Sequence, residues 1–199
     1  MTVNSRDLAV TLARFYEFKD KVVLYVGAGG SQLLTPDVRI KRMIAIDQNG
    51  ETLRKLKTNI VAQGIQDSVE VVASDFQDVV ILGDVVYFEF CLHEITDPYA
   101  ALTHARALAP DIVIFDHLPG SEWSFYAAEE EKVRRSNEAM ERFVARRHEV
   151  FRTEQRFADY EQLHAKLASQ GTVAVERARR HFAGSIDIAI PMPCQLALL

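Results

Sequence analysis

Residues 22–34 read VVLYVGAGGSQLL. An apolar, β-branched run of strand length ends at Gly27, and three glycines fall within positions 27–30. A strand that breaks into glycines lets a backbone come close to a ligand. The turn alone does not choose that ligand. Tyr25, two residues before the first glycine, is an unusual residue for such a turn.

The elements around this stretch set the fold. Residues 5–18 carry Leu8, Leu12, Phe15 and Phe18 at near-helical spacing, with Asn4 or Ser5 as cap. Strand-like runs follow at 21–26, 42–47, 69–74, 83–90 and 111–116. Between them, 49–64 reads as a helix with Leu53, Leu56, Ile60 and Val61 on one face, ended by Gly64. Residues 97–109 read as another helix, capped by Asp97 with Pro98 in first place. Pro36 keeps the helix between the first two strands short. Alternating strands and helices predict a parallel sheet wrapped by helices. The strands are apolar without alternation, as two covered faces require.

After Asp116 the rhythm changes. The charged segment 121–150 reads as helical and amphipathic, and 159–171 as a helix capped by Asp159 and Gln162. Two strand-like runs, 172–182 and 184–192, stand close enough to pair as an antiparallel hairpin. The expected fold is α/β: three layers around a seven-stranded, mostly parallel sheet with an antiparallel C-terminal strand and a helical insert after strand five. One domain spans 1–199, with an N-terminal helix in 1–20 and a helical lid at 118–150.

Composition narrows the function. The 199-residue chain has a formal net charge of −5, which argues against a broad nucleic-acid footprint. Basic clusters at 132–135, 145–152 and 177–181 read as solvated faces. No apolar run reaches membrane-spanning length, and the N-terminus lacks a secretory pattern. Cys91 and Cys194 stand far apart in apolar contexts, which suits a reducing, cytoplasmic setting and no disulfide framework.

A site is expected at the carboxyl ends of the strands. Gly27, Ala28, Gly29 and Ser31 follow strand one; Asp47 and Gln48 end strand two; Asp75 and Phe76 follow strand three. Glu89, Phe90, His93 and Glu94 follow strand four, and Asp116 and His117 end strand five. A glycine turn with an acid ending strand two fits a ribose. The dinucleotide fingerprint wants a third glycine at position 32, but Gln32 stands there. The helix that would anchor a diphosphate is cut by Pro36.

Four stretches in order resemble the class I S-adenosylmethionine-dependent methyltransferases: YVGAGGS (25–31), IAIDQNGETL (44–53), VVASDFQD (71–78) and GDVVYFEFCLHEITDP (83–98). The resemblance implies a Rossmann-like fold with S-adenosyl-L-methionine as cofactor. It places the ribose on Asp47 beside Gln48, and the adenine against Asp75 and Phe76. It makes the closing hairpin the family's reversed seventh strand. Where the family carries an acid for the methionine ammonium, this chain has Tyr25, and Glu89 and Phe90 stand nearby in sequence order to complete that end.

Methyl transfer from a sulfonium needs alignment and a dry pocket, and a base only if the acceptor arrives protonated. His93 and His117 are the candidates for direct roles and for the substrate pocket. Trp123 and Tyr126 of the lid are expected to line that pocket, around a small organic acceptor. No metal is expected, because no ligand spacing is diagnostic. Two other functions remain open: a nicotinamide-dependent oxidoreductase, and a nucleoside-binding protein of this fold without turnover.

Overall fold

The computed structural model describes residues 5–29 and 40–199, with side chains from residue 10 onward in the first helix. Asn4, Ser31 and the short helix expected around Pro36 lie outside the described residues. Nine strands and seven α-helices are found among those described. In chain order they are α1 (Ser5–Phe15), β1 (Val22–Val26), β2 (Arg42–Asp47), α2 (Gly50–Ala62), β3 (Val69–Ala73), β4 (Val85–Glu89) and α3 (Pro98–Leu108). Then come β5 (Asp111–His117), α4 (Glu122–Tyr126), α5 (Glu130–Glu141), β6 (Arg147–Phe151) and β7 (Glu154–Asp159). α6 (Tyr160–Leu167), α7 (Thr172–Phe182), β8 (Ile186–Pro191) and β9 (Cys194–Leu198) close the chain.

The main sheet has seven strands in the order β3-β2-β1-β4-β5-β9-β6. β1 pairs in parallel with both β2 and β4, so the strand order reverses between β1 and β4. β9 runs antiparallel to β5 and to β6. The architecture is therefore the expected α/β, Rossmann-like one, with one reversed C-terminal strand. No described helix is long and apolar enough to cross a membrane.

Each face of the sheet has its own core. Leu12, Phe15, Leu53, Leu56 and Ile60 cover the face carrying Val23, Tyr25 and Tyr87. Ala101, Leu102, Ala105 and Met140 cover the face carrying Leu24, Val86 and Ile114. Two caps hold as read, Asp97 accepting from the Ala100 amide and Asp159 from Gln162, and Asn49, not singled out in the sequence, caps α2 by accepting from the Glu51 and Thr52 amides. Val61 departs from its expected face and is 67% exposed, because it follows buried Ile60 by a 100° helical step.

The last third differs from the expectation. Residues 172–182 form α7, not a strand. Val173 and Val175 imitate a strand's alternation, but the buried positions are Ala174 and Ala178, four apart as a helix requires. The hairpin of 172–182 with 184–192 therefore does not exist. β8 pairs with β7 in a separate two-stranded sheet, and the reversed strand is β9, which was not foreseen. The helical segment after β5 stops at Glu141, and 147–151 forms the edge strand β6. Its Arg147, His148 and Val150 are exposed, which gives a charged edge rather than a helix.

The N-terminal cover is tied to the sheet by one polar knot. The Tyr16 hydroxyl donates to Asp111 at 2.5 Å, and Arg146 reaches the same carboxylate at 2.7 Å. Partial burial raises the Asp111 carboxyl, but Tyr16 and Arg146 outweigh it and hold it below its usual value. A depressed carboxyl stabilises above the unfolded pKa and loses that contribution as pH falls through its folded value. Asp111→Ala should therefore cost about 1–2 kcal/mol at neutral pH. In urea denaturation the gap from the parent should close as the medium is taken below the carboxylate range.

Candidate functional site

The turn after β1 is held against the turn after β4. Gly27 has φ +68°, and a Cβ placed there would lie 2.4 Å from Cys91 Cβ and 2.6 Å from its sulfur. The Gly27 amide donates to Ile46 of β2 at 3.0 Å, and the Cys91 thiol to the Val26 carbonyl at 3.2 Å. Three strand ends thus meet at one glycine. Phe90 adopts φ +46°, a left-handed conformation rare for an aromatic residue, where the chain leaves β4.

Outside these strand ends lies a cleft of about 420 Å³. That is within the range of small-ligand sites. Gly27, Asp47, Gln48, Asp75 and Phe76 all line it, with Cys91, Glu94 and Asp97 on the β4 side. One Asp47 oxygen accepts the Asn49 amide at 2.8 Å, and one Asp75 oxygen accepts the Gln77 amide at 3.0 Å. Both carboxylates are thereby oriented by their own turns. Phe76 is fixed edge-on against Phe88 and His104. Ala28 is fully buried, and Gly29, whose amide donates to Gly27 at 2.7 Å, continues the turn.

Tyr25 lies beneath the turn, fully buried, with its ring 5.3 Å from Tyr87. Its hydroxyl donates to Glu89, which is also buried, at the end of the neighbouring strand. The structure thus joins the unusual tyrosine to the carboxylate that follows it on β4. Neither side chain lines the cleft wall itself.

Behind Glu94, and outside the residues that line the cleft, three donors converge on Asp116. They are His93 Nδ1 at 2.6 Å, the His93 amide at 3.1 Å and the His117 amide at 2.8 Å. The His93 and His117 rings lie 4.9 Å apart, and Phe90 packs 5.0 Å from His117. His93 Nε2 faces Glu94 at 3.6 Å and Glu129 at 4.0 Å, while Lys132 holds the far oxygen of Glu94 at 2.6 Å. Sequence reading brought His93, His117 and Glu94 to this place. It also placed Asp116 at the end of strand five without its partners, and it missed Glu129 and Lys132 from the start of α5.

The charges in this cluster settle one another. Burial depresses the His93 imidazolium, but Asp116, with Glu129 and Glu94, leaves it above the ordinary histidine value. Burial raises the Asp116 carboxyl, and His93 more than offsets that and keeps it ionised. His117 is pushed down to about 4 by burial, with the nearby His93 charge adding to the effect. Burial and Glu94 raise Glu129 to about 7, against the pull of His93. At neutral pH the site holds an ionised Asp116 bonded to a His93 whose proton affinity is raised, a neutral His117 and a Glu129 carboxyl poised near half protonation.

Trp123 and Tyr126 lie elsewhere. Both are on α4, with Trp123 stacked on Phe157 of β7 and Tyr126 against Phe182 of α7. Neither lines the cleft.

No family model and no curated protein sequence matches the chain. Solved structures do. A Bacillus halodurans protein, described provisionally as a methyltransferase, superposes with a TM-score of 0.67 over 96% of each chain at 14% identity. The precorrin 8W decarboxylase of Methanobacterium thermoautotrophicum gives 0.62 over 96% of this chain and 88% of its own, at 16% identity. An S-adenosylmethionine-dependent O-methyltransferase from Thermotoga maritima gives 0.60 over 99% of this chain and 66% of its own, at 9% identity. The fold is that of the class I methyltransferases. At such identities the likeness is one of fold, and the decarboxylase shows that this fold also carries proteins described by another reaction.

The glycine contact is directly testable. Gly27→Ala should destabilise the protein by roughly 2–4 kcal/mol, from the left-handed strain and the clash with Cys91 together. Cys91→Gly in the same chain should recover the clash and leave the backbone strain. A double-mutant cycle by chemical denaturation reads the coupling.

Proposed function

We propose that this protein is an S-adenosylmethionine-dependent methyltransferase acting on a small organic molecule. One observation carries the reading: Asp47 and Asp75, from the ends of β2 and β3, line a single cleft with Gly27 and Phe76 outside the β1/β4 switch point.

The residues present fit such a cofactor. Gly27, with Cys91 packed where a Cβ would stand, offers only backbone to the cleft. Asp47 accepts hydrogen bonds from the two ribose hydroxyls, charge-assisted and therefore strong. Asp75 takes the exocyclic amine, and the anchored Phe76 forms the wall beside the ring. Behind the methionine end, and set back from the cleft wall, the Tyr25–Glu89 pair places the carboxyl group that the first motif lacks. Bound there, S-adenosylmethionine supplies a methyl group on a sulfonium, activated for in-line displacement.

The acceptor side is assigned to His93 and His117. Their burial suits a small molecule and a water-excluded reaction. The net charge of −5 supports an acceptor other than nucleic acid, and two free cysteines suit the cytoplasm. The chain from 118 to 141 acts as the cover of this end, because α5 brings Glu129 and Lys132 to the cluster. A second reading, nucleoside binding without methyl transfer, is favoured by Tyr25 in place of the usual acid.

Isothermal titration with S-adenosylmethionine and S-adenosylhomocysteine should show one site. Asp47→Ala should weaken both by tenfold or more, as expected for losing a charge-assisted contact. Thermal stabilisation by NAD alone would overturn the proposal. Glu89→Gln should weaken S-adenosylmethionine more than it weakens adenosine; equal affinity for the parent and the variant removes Glu89 from the methionine end. Binding with no methyl transfer to a broad panel of small acceptors is the result the second reading expects.

A further inference from the structure

His93, His117 and Glu129 come from three separate segments: the turn after β4, the end of β5 and the residue before α5. Their ligand-type atoms all lie within 4.8 Å of one another, and all three residues are buried. We propose that these three side chains bind a divalent transition-metal ion of the zinc class in the buried cluster behind Glu94, beside the cleft.

The geometry around each ligand supports this. Asp116 accepts from His93 Nδ1 at 2.6 Å, which fixes the ring and leaves Nε2 facing Glu129 and Glu94. A carboxylate behind a histidine, with the other nitrogen turned to a common centre, is the usual support of a metal-bound imidazole. His117 is 6% exposed, lies in the cluster, and its Nδ1 has no hydrogen-bond partner among the described residues. A buried ring nitrogen without a partner is costly unless something occupies the space beside it. The gap of 4.0 Å from His93 Nε2 to Glu129 is close to the donor spacing of a tetrahedral shell, roughly 3.4 Å for bonds of about 2.1 Å. A small inward movement of Glu129 closes it.

The donor set selects the class of ion. Two imidazoles and one carboxylate suit zinc and its neighbours, whereas magnesium and calcium take oxygen shells. Three protein ligands leave a position open. Glu94, 3.6 Å from the same His93 nitrogen, lines the cleft, so the open position faces the place where an acceptor arrives. The inference stands without the methyl-transfer reading, because it needs neither cofactor nor acceptor.

The test uses the full chain, free of tags and stripped with a chelator, titrated with Zn²⁺ against a competing indicator. One equivalent should bind. His93→Ala, His117→Ala and Glu129→Gln should each weaken it at least tenfold, and Asp116→Asn by 10- to 100-fold through the loss of ring orientation, on the order seen for such supports. His148→Ala, a histidine outside the cluster, should change nothing. Absence of stoichiometric binding, or equal affinity in the four site variants, overturns the proposal. Should those variants fail to fold, the parent loaded with Co²⁺ decides by proton NMR. Exchangeable imidazole N–H resonances shifted by the metal uphold the site, and their absence sinks it.

Discussion

The approach of the β1 turn to the β4 turn governs the site. Gly27 and Cys91 are packed so closely that no side chain fits at Gly27. The contact does two things at once. It closes the end of the sheet where the strand order reverses, and it leaves backbone rather than side chain facing the cleft. Asp47 and Asp75 stand at the ends of the next two strands, so their distance from the glycine turn follows from sheet register. Ile46 of β2 receives the Gly27 amide, which ties the β2 end, and Asp47 with it, to the turn.

Tyr25 and Glu89 show how a sheet exchanges one polar solution for another. The pairing of β1 with β4 sets Tyr25 beside Tyr87, and Glu89 two residues on projects from the same face. A phenol and a carboxylate on neighbouring strands therefore meet across the pair. A buried carboxylate is costly without donors, and the phenol is one. The tyrosine makes a buried acid on β4 tolerable, while an acid on β1 beside Glu89 would set two like charges together.

β1, β2, β4 and β5 were legible because both of their faces are covered, so their centres read as apolar runs; β3, a partly exposed edge strand, was legible from its valines. The helices between them announced themselves through Leu53, Leu56 and Ile60, through Asp97 with Pro98, and through Gly64. Beyond residue 117 the physics is less one-sided. β8 was legible as a strand within 184–192, whereas β6 is a charged edge strand and β7, which pairs with β8, is only partly buried, so neither of these two stands out from a solvated helix. α7 begins with valines at alternate positions, and only burial shows which period applies. The cleft carboxylates were legible from their place at strand ends. Glu129 was not: it opens a run of three acids, and nothing in that run marks the first as the buried one.

The buried charges explain why the connection after β5 matters beyond its length. Asp116 is held as a carboxylate away from water by three donors, two of them from His93; removing a partner would leave that charge uncompensated. Glu129 sits against that pair without a full share of its charge, which is why its carboxyl is raised while Asp116 stays ionised. Its position is set by α5, which packs on α3 and on the Leu92–Glu94 turn that follows Cys91. The sheet therefore divides the site. The ends of β1, β2 and β3 shape the nucleoside half of the proposed cleft, and β4, β5 and α5 set the charge at its other end. A shift of α5 would alter the spacing of Glu129 from His93, whereas Asp47 and Asp75, held in their own turns at the ends of β2 and β3, take no part in that contact.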